Sequence, residues 1–146
     1  IMALANKMLE NSIRPELEIF DLGMINYAKY LAKKSLIKPP YYFNFILGNI
    51  ACAQADLLNL GLMIKDIPEE SLWSAGGVGD NQLQVNALAL ISNGGVRVGL
   101  EDTIWYDQNR TKLASNYDLV KRIVSIAKEF NKLPYNPKEL RPLLGL

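Results

Sequence analysis

The apolar positions along the chain follow two periods, one typical of helices and one typical of strands. Apolar residues three and four positions apart predict helices over residues 1–12, 24–35, 51–64, 82–92 and 116–130. Between them lie short strand-like segments that begin near residues 16, 42, 72 and 96. A helix bridges each successive pair of strands, so the pattern predicts an α/β fold of four β/α units with a parallel sheet and right-handed crossovers.

The first predicted strand carries acidic residues on one face. The segment Glu16–Asp21 alternates acidic and apolar residues. As a strand it directs Glu16 and Glu18 to one face and its aliphatic side chains to the other. Either these acids face a polar interior, or the strand is an edge strand with a solvated face.

The last predicted strand is the strongest candidate for a site. In Gly94–Asp102, alternation puts Arg97 and Glu101 on the face opposite the aliphatic residues, and the segment ends in Glu101-Asp102. A buried guanidinium is costly unless a carboxylate or an anion meets it. Open α/β sheets and α/β barrels keep their chemistry at the carboxyl ends of their strands. The alternative is a polar strand end that leads into a solvated loop.

Glycines follow the third predicted strand, in the segment Gly76-Gly77-Val78-Gly79-Asp80. A glycine loop between a strand and a helix can bring backbone N–H groups toward an anion. Glycines also serve simply to turn a chain, so this motif leaves both interpretations open.

Four β/α units form either a small open sheet or half of an eight-unit barrel. Every predicted strand has a polar or aromatic face opposite its helix-facing side, and this favours the half-barrel, whose interior tolerates polar residues at the catalytic mouth. We predict a single domain over residues 1–146. Its parts are the end of a preceding helix (1–12), four β/α units (13–130) and a carboxyl-terminal tail (131–146) with a short helix near residues 137–140.

Composition excludes several classes of function. The chain has 146 residues, a formal net charge of +1 and no run of basic residues, so it lacks the electrostatic footprint of a nucleic-acid-binding protein. No apolar run is long enough to cross a membrane. The chain has a single cysteine, Cys52, which excludes an internal disulfide framework. Because no signal peptide is recognisable either, we expect a cytoplasmic location. The chain contains no histidine.

Four segments together resemble the carboxyl-terminal half of the β-keto acid cleavage enzymes, a family typified by the 3-keto-5-aminohexanoate cleavage enzyme of lysine fermentation. They are Pro15–Met24, Phe45–Gly48, Trp73–Gly79 and Val96–Asp102. Members of this family are zinc-dependent (β/α)8 barrels that react a β-keto acid with acetyl-CoA to give acetoacetate and a new CoA thioester. The resemblance implies the same fold, zinc as cofactor and acetyl-CoA as co-substrate for this chain.

The resemblance also implies roles for individual residues. Glu101 would be a zinc ligand, and Asp102 would work with Arg97 in deprotonating and orienting the substrate. Glu18, or alternatively Glu16, would contact the far end of the keto acid. The glycines Gly76, Gly77 and Gly79 would contact CoA, because this barrel position often binds phosphate.

The chain departs from the family pattern in two respects. The two zinc histidines of the family lie in the first half of the barrel, which this chain lacks, and Thr103 stands where an asparagine is expected after the Glu-Asp pair. We therefore expect the chain to work beside an amino-terminal half or as a homo-oligomer. One alternative is a catalytically silent half-barrel that self-associates. Another is a flavodoxin-like domain that binds an anion at the glycine loop, but this interpretation leaves Arg97 and Glu101 unexplained.

Overall fold

A computed structural model describes residues 1–146 and contains four strands and six α-helices. The order is α1 (Met2–Glu10), β1 (Glu16–Ile19), α2 (Leu22–Lys33), β2 (Tyr41–Leu47), α3 (Leu57–Asp66), β3 (Ser71–Gly77), α4 (Gln82–Ile91), β4 (Gly95–Val96), α5 (Asn116–Glu129) and α6 (Pro137–Leu143). A short 3-10 turn, Gly79–Asn81, precedes α4. None of the helices combines the length and the apolar character needed to span a membrane.

The strands pair in chain order, β1-β2-β3-β4, and every pair is parallel. Each connection contains a helix, as the spacing of the strands predicted. The predicted fold class is confirmed: the chain has the α/β architecture of half a (β/α)8 barrel.

The main core lies on the face of the sheet that α2, α3 and α4 cover. Phe43, Phe45 and Leu47 of β2 point into it, and Trp73 of β3 stacks on Phe45 with ring centroids 5.7 Å apart. The helices contribute small and aliphatic side chains, among them Ile25, Ala28, Leu60, Met63, Val85 and Ala89. Ile19 of β1 is buried in the same core, so the predicted alternation of the first strand is confirmed.

Two helices begin at different residues from those predicted, because an aspartate caps each of them. Helix α2 begins at Leu22 rather than at residue 24, since the Asp21 carboxylate accepts the N–H of Met24. Helix α3 begins at Leu57 rather than at residue 51, since Asp56 accepts the N–H of Asn59. The apolar spacing over residues 51–56 belongs to a loop.

In three helices the apolar spacing that predicted the helix identifies the buried residues only in part. In α1 only Ala5 is buried, while Ile1 and Leu4 are exposed. In α3 the buried residues are Leu60 and Met63, and Leu57 is exposed. In α5 the buried residues are Leu119, Ile123 and Ala127, whereas Phe130, the last residue of the predicted helix 116–130, is the C-cap residue and is 45% exposed.

The last strand is much shorter than predicted. It ends at Val96 and does not continue to residue 100. Val96 and Val98 still pack together, against the cluster of Leu90, Ile123 and Ala127. Leu100, which was predicted to share their face, is 37% exposed. Residues 97–102 are therefore a loop that continues from the strand, and the predicted site residues on it depend on other contacts for their position.

The tail ends in the predicted helix, α6, which is longer than expected. Asn136 and Glu139 form a capping box at its amino end, with Asn136 accepting backbone N–H groups and Glu139 accepting the N–H of Asn136. An apolar groove lies between this tail and the strands β3 and β4, lined by Leu72, Trp73, Leu133, Tyr135 and Leu143.

Candidate active site

The carboxyl ends of the two outer strands meet through an ion pair. Arg97, which follows β4, donates from Nη1 to Glu18 Oε1 of β1 at 2.7 Å. In a flat sheet three strand spacings would separate these strands by about 14 Å, and side chains that stand roughly perpendicular to the sheet would not meet across that distance. We infer from this contact that the sheet is curved, as in a sector of a barrel, with the ion pair on its concave face.

Two further carboxylates surround the same guanidinium. Glu101 accepts from Nη2 of Arg97 at 2.9 Å, and Asp102 accepts from Nε at 3.3 Å. Their exposures differ greatly, because the side chain of Asp102 is 5% exposed and that of Glu101 is 83% exposed. All four charged residues predicted for the site, Glu18, Arg97, Glu101 and Asp102, thus form one cluster, which we call the arginine cluster.

Burial and charge act in opposite directions on the two least exposed members of the arginine cluster. Burial raises the pKa of Asp102, and Arg97 opposes this increase by attraction and hydrogen bonding. The negative charges of Glu101 and Glu18 add to the increase, so the pKa of Asp102 is raised overall. Burial alone would lower the pKa of Arg97, but its three carboxylate partners outweigh that effect and raise it. Asp102 is therefore a stronger base than an ordinary aspartate, and Arg97 keeps its charge.

Glu16 belongs to a different set of contacts on the concave face. Its carboxylate accepts from Asn44 Nδ2 at 2.7 Å, Ser74 donates to Asn44 Oδ1 at 3.2 Å, and Tyr42 donates to Ser74 at 3.0 Å. Asn44 and Ser74 are buried. Of the two glutamates considered from the sequence, Glu18 is the one that contacts Arg97. Sequence reasoning missed this polar layer, although its residues occupy alternate positions of their strands.

The glycines predicted to form a loop do not all lie in one. Gly76 and Gly77 are the last residues of β3, and only Gly79 follows the strand. A Cβ atom on Gly76 would lie 3.2 Å from Cβ of Arg97, so the glycine makes room for the arginine. A Cβ atom on Gly77 would lie 2.5 Å from the carbonyl oxygen of Asn81, so this glycine allows α4 to approach the sheet.

The backbone N–H groups after β3 are already bonded within the chain. Val78 donates to Leu47 at 2.9 Å, and Gly79 donates to the carbonyl oxygen of Asp102 at 2.7 Å. Gly79 thus holds the end of the arginine cluster in place. Contact of the three glycines with CoA stays a prediction.

A small hairpin follows the arginine cluster. Trp105 and Leu113 form an antiparallel bridge, and Arg122 of α5 donates to the carbonyl oxygen of Tyr106 at 2.5 Å. Arg110 at its tip pairs with Asp80 at 3.1 Å, which ties the hairpin to the segment after β3. Trp105 is partly buried in this hairpin.

Residues 1–146 match the family described as BKACE, beta-keto acid cleavage enzyme. The chain belongs to the beta-keto acid cleavage enzyme family. The resemblance inferred from the four sequence segments is confirmed.

Curated relatives in this family include two 3-keto-5-aminohexanoate cleavage enzymes. The one from Fusobacterium nucleatum is 41% identical over 95% of this chain and 50% of its own length. The one from Acetoanaerobium sticklandii is 38% identical over all of this chain and 53% of its own length. A 3-dehydrocarnitine:acetyl-CoA trimethylamine transferase from Rhizobium meliloti is 34% identical over 98% of this chain and 47% of its own length. The chain spans about half the length of the curated relatives it matches.

The residues of this family member do not by themselves fit a zinc ion. A catalytic zinc site uses three protein ligands and an open position. The chain has no histidine, and no group of three histidine, cysteine, aspartate or glutamate side chains is arranged to hold a metal. The carboxylates of the arginine cluster surround a guanidinium instead. Glu101 is the one with the greatest freedom to turn elsewhere, because it is the most exposed.

Proposed function

We propose that this chain is the carboxyl-terminal part of a β-keto acid cleavage enzyme. The complete enzyme would react a β-keto acid with acetyl-CoA as co-substrate to give acetoacetate and a new acyl-CoA. The substrate we would test first is 3-keto-5-aminohexanoate, because two relatives are named as cleavage enzymes for it. A cytoplasmic location is part of the same proposal.

The observation that carries the proposal is the arginine cluster. It joins residues 79 positions apart at the carboxyl ends of β1 and β4, where a (β/α)8 barrel keeps its chemistry. With all three carboxylates ionised, one guanidinium faces three negative charges. The excess negative charge favours a cationic group beside it, such as a metal ion or the ammonium group of an amino-substituted keto acid.

Each member of the arginine cluster would have its own task. Asp102 would accept a proton from the carbon next to the keto group, and its raised pKa suits a general base. Arg97 would orient the substrate through its carboxylate: Glu101 is largely exposed and can leave Nη2 at little cost, which frees that donor. Glu18, which is 48% exposed, would contact the far end of the substrate.

Zinc would need ligands from outside residues 1–146. We propose Glu101 as its one ligand from this chain, with the remaining ligands supplied by an amino-terminal half of the barrel. Such a partner would also pair with the free edges of β1 and β4, which are the outer strands of the sheet.

The alternative function is a catalytically silent half-barrel that associates with copies of itself. The absence of histidine and of a three-ligand group favours it. In this case association would cover the strand edges and exposed aliphatic side chains such as Ile1, Leu4 and Ile50.

The deciding experiment begins with intact-mass analysis of every polypeptide in the natively purified sample. If a histidine-bearing second chain is present, the complex is assayed with acetyl-CoA, zinc and a panel of β-keto acids, and acetoacetate is measured. We expect activity that Asp102→Asn reduces by about a hundredfold or more. Arg110→Met, which removes an exposed ion pair outside the arginine cluster, is the matched control and should keep full activity.

Two results would overturn the proposal. One is a sample that contains only this chain, which would support the self-associated, silent half-barrel. The other is a zinc-loaded complex that gives no acetoacetate with any keto acid of the panel.

A further inference from the structure

The segment that carries Arg97 and Asp102 lacks a strand partner. β4 pairs with β3 only through Gly95 and Val96, and the last backbone bond in this direction runs from the N–H of Arg97 to the carbonyl oxygen of Ala75 at 3.0 Å. Beyond this point the sheet no longer fixes the backbone. Something else must hold residues 97–102, because four side chains of different strands and loops meet there within hydrogen-bonding distance.

Two amide side chains of α4 take over where the sheet ends. Asn86 donates from Nδ2 to the carbonyl oxygen of Arg97 at 2.8 Å and to that of Ala75 at 3.1 Å. Gln82 donates from Nε2 to the carbonyl oxygen of Gly99 at 3.0 Å. Both amides are about 1% exposed, and their separation of four residues puts them on the same face of the helix.

Asn86 acts as a bridge between two neighbouring backbone segments. A primary amide has two N–H groups, and here each is given to a different carbonyl oxygen, one on β3 and one at the site residue itself. This fixes the distance between β3 and the backbone of Arg97 where the ladder stops. An aliphatic side chain of similar size would leave both carbonyl oxygens without this donor.

We propose that Asn86 and Gln82 are positioning residues that hold the backbone of Arg97 and Gly99 so that the arginine cluster forms. They act through the main chain, because all their side-chain hydrogen bonds go to backbone carbonyl oxygens. Their importance for catalysis rests on the proposed function, whereas their effect on the geometry of Arg97 is independent of it. The first test therefore measures geometry on the full chain without any assay of activity.

The variants are Asn86→Ala and Gln82→Met, with Gln84→Met as the matched control. Gln84 lies on the same helix, but its amide is exposed and donates to Ala55 at 3.3 Å, away from the cluster. Gln82→Met replaces the amide with an apolar side chain of similar shape. It also removes the buried Oε1 atom of Gln82, which has no hydrogen-bond partner. We therefore expect Gln82→Met to fold even if Asn86→Ala does not.

The measurement is hydrogen exchange at Nε–H of Arg97, followed by NMR in ¹⁵N-labelled protein. This proton is bonded to Asp102, so its exchange reports whether the cluster is closed. In folded variants we expect exchange about tenfold faster than in the wild type, the effect of losing roughly one hydrogen bond. Backbone signals of β1 and β2 should stay in place, and Gln84→Met should leave the exchange unchanged.

Unchanged exchange in a folded Gln82→Met or Asn86→Ala variant would overturn the inference. If the assembled enzyme proves active, both variants should lower kcat by about tenfold or more and should also raise KM, since the base Asp102 and the substrate-orienting Arg97 are both displaced. Inactivity of the wild-type complex would refute the proposed function and leave the exchange result standing.

Discussion

Replacing Arg97 with methionine should destabilise the chain in a pH-dependent way. The substitution keeps most of the aliphatic stem but removes the positive charge that faces three carboxylates. Asp102, with a side chain 5% exposed, would lose the partner that offsets its burial. Removing one partner of a buried pair costs about 3–5 kcal/mol, whereas the more exposed pairs with Glu18 and Glu101 are each worth about 1 kcal/mol or less. Because Asp102 can escape part of the cost by taking up a proton, we expect a loss of about 3 kcal/mol near pH 7.

The sign of the pH dependence follows from Asp102. Its pKa is raised in the folded wild type, so its contribution to stability is present below the ordinary aspartate pKa and is lost as pH rises through the folded-state value. Without Arg97 the folded-state pKa rises further, and the loss extends to higher pH. The difference in unfolding free energy between wild type and variant should therefore shrink by about 1 kcal/mol between about pH 7 and pH 5.

Urea unfolding at fixed protein concentration, repeated across this pH range, measures the effect. Arg110→Met is the matched control, because Arg110 pairs with Asp80 at 3.1 Å with side chains 60% and 49% exposed. The control should cost less than about 0.5 kcal/mol at every pH. Equal losses in the two variants, or a loss at Arg97 that does not change with pH, would refute the argument that Asp102 is the group left uncompensated.

Two further predictions concern the concave face and the glycines. Ser74→Ala removes the hydroxyl that bonds both Tyr42 and Asn44, and it should lower the free energy of unfolding by about 1–2 kcal/mol. Urea unfolding measures this change, and an unchanged midpoint would show that these hydrogen bonds do not stabilise the fold. Gly77→Ala should cost about 2–3 kcal/mol, because its Cβ atom would lie 2.5 Å from the carbonyl oxygen of Asn81. Gly61→Ala, at a helical position with nothing within 4 Å, should instead stabilise by about 0.5–1 kcal/mol, and thermal melts that do not separate the two variants would refute the packing argument.

Local patterns predicted the fold well where one short-range cause dominates. The alternation of Glu16 to Ile19 identified both faces of β1, because side-chain direction in a strand depends only on parity. The start of α3 was wrong for a physical reason that is also local. Apolar spacing from residue 51 onward suggested a helix, but Asp56 satisfies the free N–H group of Asn59 and sets the boundary.

The site was predictable as a set of residues and unpredictable as a geometry. The family resemblance selected Glu18, Arg97, Glu101 and Asp102, yet no local pattern indicates that the first and last strands approach each other. That contact depends on the curvature of the whole sheet, which arises from the packing of four strands and their helices. Asn86 and Gln82 were missed because buried amides on a helix look like ordinary polar positions. Their signal was an amide at each of two positions four apart in a helix whose one other polar residue is Gln84.

The arrangement of the site separates what this chain supplies from what a partner would have to supply. Residues of this chain position the arginine cluster. Asn86 and Gln82 hold the backbone of residues 97–99. Gly79 donates its N–H to the carbonyl oxygen of Asp102, and Gly76 leaves room for Arg97. Asp102 and Arg97 are therefore held in place by contacts within this chain. The exposed carboxylate, Glu101, is the one member whose present contact is easily exchanged. A partner that supplied metal ligands would then need to reorient one surface side chain rather than rebuild the site, and association could complete the proposed centre at small conformational cost.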